Sequence, residues 1–105
     1  MNKLSNCRLS HKIPEKYQED IRKANDLLKN EGCKTVYLFG SMVTGKIHNN
    51  SDIDMGVKGL SPDKFFKVYS KLYINLDSEI HLVDFDYDDR FFSLLEKQGE
   101  LVEVG

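Results

Sequence analysis

Five consecutive residues, Thr35-Val-Tyr-Leu-Phe39, set the tightest constraint on how this chain can fold. They are β-branched, aliphatic and aromatic, carry no charge, and run straight into Gly40. A segment of that composition reads as a strand buried inside a sheet, so the rest of the chain has to cover it. The flanking segments have the patterns to do so. From Ile13 the sequence takes on helical spacing: Pro14 suits a first helical position, Tyr17, Ile21, Ala24 and Leu28 share a stripe, and Gly32 stops the helix. Residues 51–58 alternate polar Asp52 and Asp54 with apolar Ile53, Met55 and Val57, which predicts a second strand. Ser61-Pro62 starts another helix, with Phe65, Phe66, Val68, Tyr69, Leu72 and Tyr73 as a broad apolar face. Residues 79–85 read as a third strand. Asp88 or Asp89 caps a last helix through Phe92 and Leu95 to Gly99, and residues 101–104 add a short terminal strand.

Helices and strands alternate, which predicts an α/β (α+β) fold: a small mixed sheet with helices packed on one face. With 105 residues there is material for one core, so residues 13–105 are expected to form a single domain behind a flexible polar leader, residues 1–12. Lys and Arg number 15 against 17 Asp and Glu, a net charge of -2, and chains that coat nucleic acid non-specifically carry a basic excess instead. No apolar run is long enough to span a membrane, and the leader has no signal-peptide core, so a cytoplasmic location is expected. Cys7 and Cys33 form no Cys-x-x-Cys and no zinc-spaced cluster, and two reduced thiols are the simplest reading.

The chemistry concentrates between Gly40 and Asp54. Gly40-Ser41 follows a strand and opens a short turn to Gly45, and such a turn presents backbone N–H groups and a hydroxyl to a phosphate. Gly40 has no Cβ to block the approach. Asp52-Ile53-Asp54 then puts two carboxylates on one side of a strand with Cα atoms about 7 Å apart, a spacing that converges on Mg²⁺ or a metal pair. A lone Asp-x-Asp on a half-buried strand is usually a pair of solvated acids. The Gly-Ser turn upstream changes that weighing.

Gly40-Ser41, Gly45 and Ser51-Asp52-x-Asp54, at these intervals after an apolar strand, resemble the minimal nucleotidyltransferases of the DNA polymerase β superfamily. The resemblance implies a palm-like mixed sheet, Mg²⁺ (or Mn²⁺), and ATP or another nucleoside triphosphate. It also implies attack of an acceptor hydroxyl on the α-phosphate with release of pyrophosphate, AMP being the group moved. Gly40 and Ser41 would hold the triphosphate, with Lys46 and Ser51 as further phosphate-binding candidates, and Asp52 and Asp54 would hold the metals. The chain lacks room for the acceptor-binding domain of larger members, so acceptor recognition falls to another protein or to self-association. Domains of this type pair with a small all-helical partner, and in toxin–antitoxin systems the nucleotidyltransferase is the antitoxin.

Two departures from the family pattern stand out. Where relatives carry a third carboxylate on the neighbouring strand, this chain has His81, in Ile80-His81-Leu82-Val83-Asp84. Glu79 shares the parity of His81, while Asp84 has the opposite parity. Either Glu79 completes the metal site as third ligand, or His81 serves as base or ligand near neutral pH. If neither acts, the domain is a catalytically impaired nucleotide- or metal-binding module that neutralises or scaffolds a protein partner. The turn also carries Met42 and Thr44 where relatives often have arginines, leaving Lys46 and His48 as the nearest basic residues. Asp84-x-Asp86-x-Asp88 lacks the glycine and glutamate of a calcium loop and reads as a helix-capping acidic loop. Phe65-Phe66 and Phe91-Phe92 read as core, with room for one ring of each pair to face outward.

Overall fold

The computed structural model describes residues 13–48 and 51–105, and the expected leader, with Cys7, lies outside them. The elements run α1 (Glu15–Asn30), β1 (Thr35–Phe39), α2 (Ser41–Thr44), β2 (Ile53–Lys58), α3 (Pro62–Asn75), β3 (Ile80–Asp84), α4 (Asp89–Gln98) and β4 (Leu101–Glu103). The four strands form one sheet in the order β3-β2-β1-β4. β1 is antiparallel to both of its neighbours, β2 and β4, whereas β2 and β3 are parallel and joined by the α3 crossover. The sheet is therefore mixed, as the alternation of elements predicts.

The uncharged run of β1 is covered on both sides, and its residues divide by parity. Val36 and Leu38 enter the main core with Tyr17, Ile21, Ala24 and Leu28 of α1 and Val68 and Leu72 of α3. Tyr37 and Phe39 enter a smaller aromatic cluster on the opposite face, with Phe85, Phe91, Phe92 and Leu95. The rings there meet edge-on or tilted; Tyr37 and Phe92 have centroids 5.3 Å apart, Phe39 and Phe91 5.4 Å. The two long helices thus share one face, and α4 covers part of the other.

The expected apolar face of α3 is narrower than its sequence suggests. Only the i, i+3, i+4, i+7 stripe of Phe65, Val68, Tyr69 and Leu72 meets the sheet. Phe66 and Tyr73 lie off that stripe and are 78% and 75% exposed. Phe91 and Phe92 are both partly buried, so only the first phenylalanine pair sends a ring outward. Strand ends also shift. β2 begins at Ile53 because Ser51 closes a turn with His48: the Ser51 amide donates to the His48 carbonyl, and Ser51 Oγ accepts from the His48 amide at 2.7 Å. β3 is one residue shorter at each end, although Ile53 N still donates to the Glu79 carbonyl and Phe85 N to that of Val57. Pro14 sits just before the first turn of α1, not within it, and its carbonyl accepts from the Tyr17 and Gln18 amides.

The acidic loop is structural, as expected. Asp84 accepts from the Asp86 amide, Asp86 from the Gly59 amide, and Asp88 caps α4 through the Phe91 amide. Buried Cys33 is a free thiol whose Sγ donates to the carbonyls of Thr35 and Lys58, and burial raises its pKa above the ordinary thiol value. Among the described residues no helix is long and apolar enough to cross a membrane.

Gly56 explains how Phe85 fits against the sheet. It stands opposite Tyr37 in the β1–β2 register, and a Cβ built on it would collide with the fully buried Phe85 ring. Gly56→Ala should therefore lower unfolding stability by about 1–3 kcal/mol, the usual cost of an extra methyl in a filled core. Urea denaturation of the two proteins measures it, and equal midpoints would show that Phe85 has room to move.

Candidate active site

The register of the sheet assembles the site. Phe39, the last residue of β1, pairs with Asp54, and Asp54 pairs in turn with His81 of β3. Asp54 and His81 therefore emerge on the face opposite α1 and α3, next to Phe39 of the aromatic cluster. His81 contacts both acids. Its Nδ1 lies 3.3 Å from Asp54 Oδ1, and its Nε2 lies 3.6 Å from Asp52 Oδ2. Burial raises the pKa of Asp54, and the neighbouring Asp52 charge adds to the shift; the charge and hydrogen bond of His81 oppose them. Asp52 precedes the strand and is more exposed than Asp54.

Gly40 brings the turn to these acids. It leaves β1 with φ 72° and ψ -145°, a conformation that an L side chain rarely adopts. A Cβ there would run into Oδ2 of Asp54, so the absence of a side chain lets the carboxylate sit directly against the turn. The Gly40 carbonyl then accepts from the amides of Val43 and Thr44, closing the short helix α2 that starts at Ser41. Gly45 ends it in the left-handed conformation. The two halves of the sequence motif, separated by eleven to fourteen residues, are in contact in the fold.

The other candidates are placed less centrally. Glu79 lies just before β3 and faces a polar cavity that Asp52 and Ser51 also line, so it stands beside Asp52 and away from the Asp54–His81 contact. The Oγ of Ser51 already accepts from the His48 amide, and its proton is still available to donate. Lys46 is exposed on the loop after α2. Among the described residues, no three His, Cys, Asp or Glu side chains form a ready metal cage. Mg²⁺ does not require one: it is commonly held by one or two carboxylates together with substrate phosphates, and Asp52 and Asp54 against an open turn fit that donor set.

Two supports were not legible as functional in the sequence. Asp20 is buried in α1, and its carboxylate accepts from the amides of Asp77 and Ser78 at 3.3 and 2.8 Å, which fixes the turn leading to Glu79. Tyr17 Oη donates to the His48 carbonyl at 3.2 Å and holds the loop before Asp52. The one available signal was an acid at position 20, within a stripe otherwise made of Tyr17, Ile21 and Ala24.

The sequence model of the family described as polymerase beta, nucleotidyltransferase, matches residues 22–102. No curated protein matches the chain. Among solved structures it is similar to a toxin–antitoxin crystallised with AMP-PNP, at 33% identity and TM-score 0.52, over 70% of this chain and 59% of that one. It is also similar to a mutant of the toxin–antitoxin MntA-HpeT in which two aspartates two positions apart are changed to glutamate. There the identity is 34% and the TM-score 0.50, over 60% of this chain and 55% of that one. The chain thus spans less than two thirds of the length of either structure. The family match covers most of the chain, and it includes both the Gly-Ser turn and the Asp-x-Asp pair that the fold presses together; the chain belongs to the polymerase β nucleotidyltransferase family.

Proposed function

We propose that this chain is a metal-dependent nucleotidyltransferase that moves a nucleoside monophosphate, AMP from ATP, onto a protein hydroxyl and releases pyrophosphate. It would work in the cytoplasm as the antitoxin of a two-component pair, beside a small helical protein. The observation that carries this reading is the contact of Gly40 with the Asp54 carboxylate, which sets a phosphate-binding turn against the carboxylate pair. The likeness to a toxin–antitoxin crystallised with AMP-PNP supports both the nucleotide and the pairing. So does the likeness to a complex mutated at two aspartates with the spacing of Asp52 and Asp54.

In this reading the turn from Gly40 and Ser41 receives the triphosphate through backbone N–H groups and the Ser41 hydroxyl, and Lys46 supplies a mobile positive charge. Asp52 and Asp54 hold Mg²⁺ or Mn²⁺, which when bound neutralises charge on the phosphates. The acceptor oxygen forms a bond to the α-phosphorus while the bond to the bridging β-oxygen breaks, and the electron pair leaves with pyrophosphate. His81 takes the hydroxyl proton. With Nδ1–H donating to Asp54, its Nε2 carries the lone pair on the side of Asp52. Glu79 stands on the Asp52 side, off the Asp54–His81 contact, and would not be a direct ligand of the metal.

Asp52→Asn or Asp54→Asn should cut pyrophosphate release from Mg·ATP, with the partner protein present, by about a hundredfold or more, and leave the melting temperature near that of the parent. Parental activity in both variants would remove the metal assignment. His81→Ala should slow transfer by about a hundredfold while Mg·AMP-PNP still binds. His81→Asp, which restores a third carboxylate, should tighten metal binding. Should the parent and the His81 variants bind Mg·AMP-PNP yet release no pyrophosphate from Mg·ATP, the domain is instead a binding module for its partner, the reading that a histidine in the third position favours.

A further inference from the structure

A recess adjoins Asp52, and neither Gly40 nor Ser41 is among the residues that line it. Its volume is about 250 Å³, and its walls come from the start of α1, the residues before β2 and the turn before β3. Three carboxylates line it, Asp52, Asp77 and Glu79, against one cation, Lys16. The hydroxyls of Ser51 and Ser78 complete a polar lining. Two of its walls are pinned from behind. Buried Asp20 holds the amides of Asp77 and Ser78, and Tyr17 holds the carbonyl of His48 next to the turn that carries Ser51.

Size and charge together restrict the occupant. Pockets for drug-sized ligands start at about 300 Å³, and a recess of about 250 Å³ has the size for a side chain. It offers no aromatic face for a base to stack on, because Tyr17 is buried and Lys16 lies 4.7 Å from its ring centroid. Polyphosphate would meet acidic walls. Even with Asp52 committed to a metal, Asp77 and Glu79 outnumber Lys16. The recess therefore suits a hydroxyl with positive charge beside it, brought up to Asp52.

We propose that this recess is the acceptor site, and that the acceptor is a side-chain hydroxyl within a Lys- or Arg-rich segment of a protein. This rests on the nucleotidyltransferase reading above. The hydroxyl oxygen forms the new bond to the α-phosphorus, the α–β phosphate bridge breaks, pyrophosphate leaves with the electron pair, and the hydroxyl proton passes to His81. Asp77 and Glu79 hold the flanking cations; Asp77 is exposed and acts on the acceptor alone.

The test uses the full chain with Mg²⁺ and labelled ATP. The acceptors are pentapeptides with a central Ser, Thr or Tyr, flanked either by lysines or by glutamates. Label should enter at least one lysine-flanked peptide about tenfold faster than its glutamate-flanked match. Asp77→Lys should collapse that ratio toward one, and Asp77→Asn should give an intermediate value. Equal labelling of the two sets, or a ratio unchanged in Asp77→Lys, would overturn the proposal. So would an absence of peptide labelling in a protein that binds Mg·AMP-PNP. Failure to bind Mg·AMP-PNP at all would instead defeat the nucleotidyltransferase reading on which the proposal stands.

Discussion

The arrangement of this molecule depends on one close approach, that of the Gly40 backbone to the carboxylate of Asp54. It requires a residue without Cβ, with a positive φ, immediately after β1, and it requires antiparallel pairing that sets Phe39 opposite Asp54. A slip of one residue in that pairing would send Asp54 into the core face and bring Met55 or Ile53 to the turn. The register is held against such a slip by packing on both sides. Val36, Leu38, Met55 and Val57 belong to the main core, while Tyr37 and Phe39 belong to the aromatic cluster. Geometry at the site is thus a consequence of burial elsewhere.

The two faces of the sheet divide the work. α1 and α3 close one face with a continuous apolar core that buries Val36 and Leu38 of β1. On the other face α4 and its phenylalanines pack on Tyr37 and Phe39 of β1, and Asp54, the register partner of Phe39, stands next to them with His81. Burial on that side is deep enough to raise the pKa of Asp54 and shallow enough to leave His81 more than half exposed. A metal drawn to such a pair would meet a carboxylate with little competing water on one side and an open approach for phosphates on the other. Bracing from the opposite face comes through Asp20 and Tyr17, whose hydrogen bonds fix the loops on either side of Asp52.

Much of this was legible in the residues. β1 emerged at its observed limits because an uncharged β-branched and aromatic run that ends in glycine has few other solutions. The Gly-Ser turn, the Asp-x-Asp strand and the acidic caps are local patterns, and local patterns survive in sequence. What depends on tertiary contact did not. Phe66 and Tyr73 have the composition of a core face, but their positions on α3 turn them outward. Parity alone left Glu79 and His81 equivalent, and the parallel register with β2 set His81 opposite Asp54. Asp20 was invisible as a brace because its partners, the amides of residues 77 and 78, lie far along the chain.

The central claim is that the turn and the acids form one metal-dependent triphosphate site. Titration calorimetry with AMP-PNP, in the presence and absence of Mg²⁺ and on the parent and Gly40→Ala, tests it most directly. An L side chain at that position is strained by about 1–3 kcal/mol, and its Cβ would collide with the Asp54 carboxylate. The account predicts binding that needs Mg²⁺ and is lost or much weakened in Gly40→Ala, even where the variant is folded. Binding that ignores the metal, or survives that substitution unchanged, would contradict it.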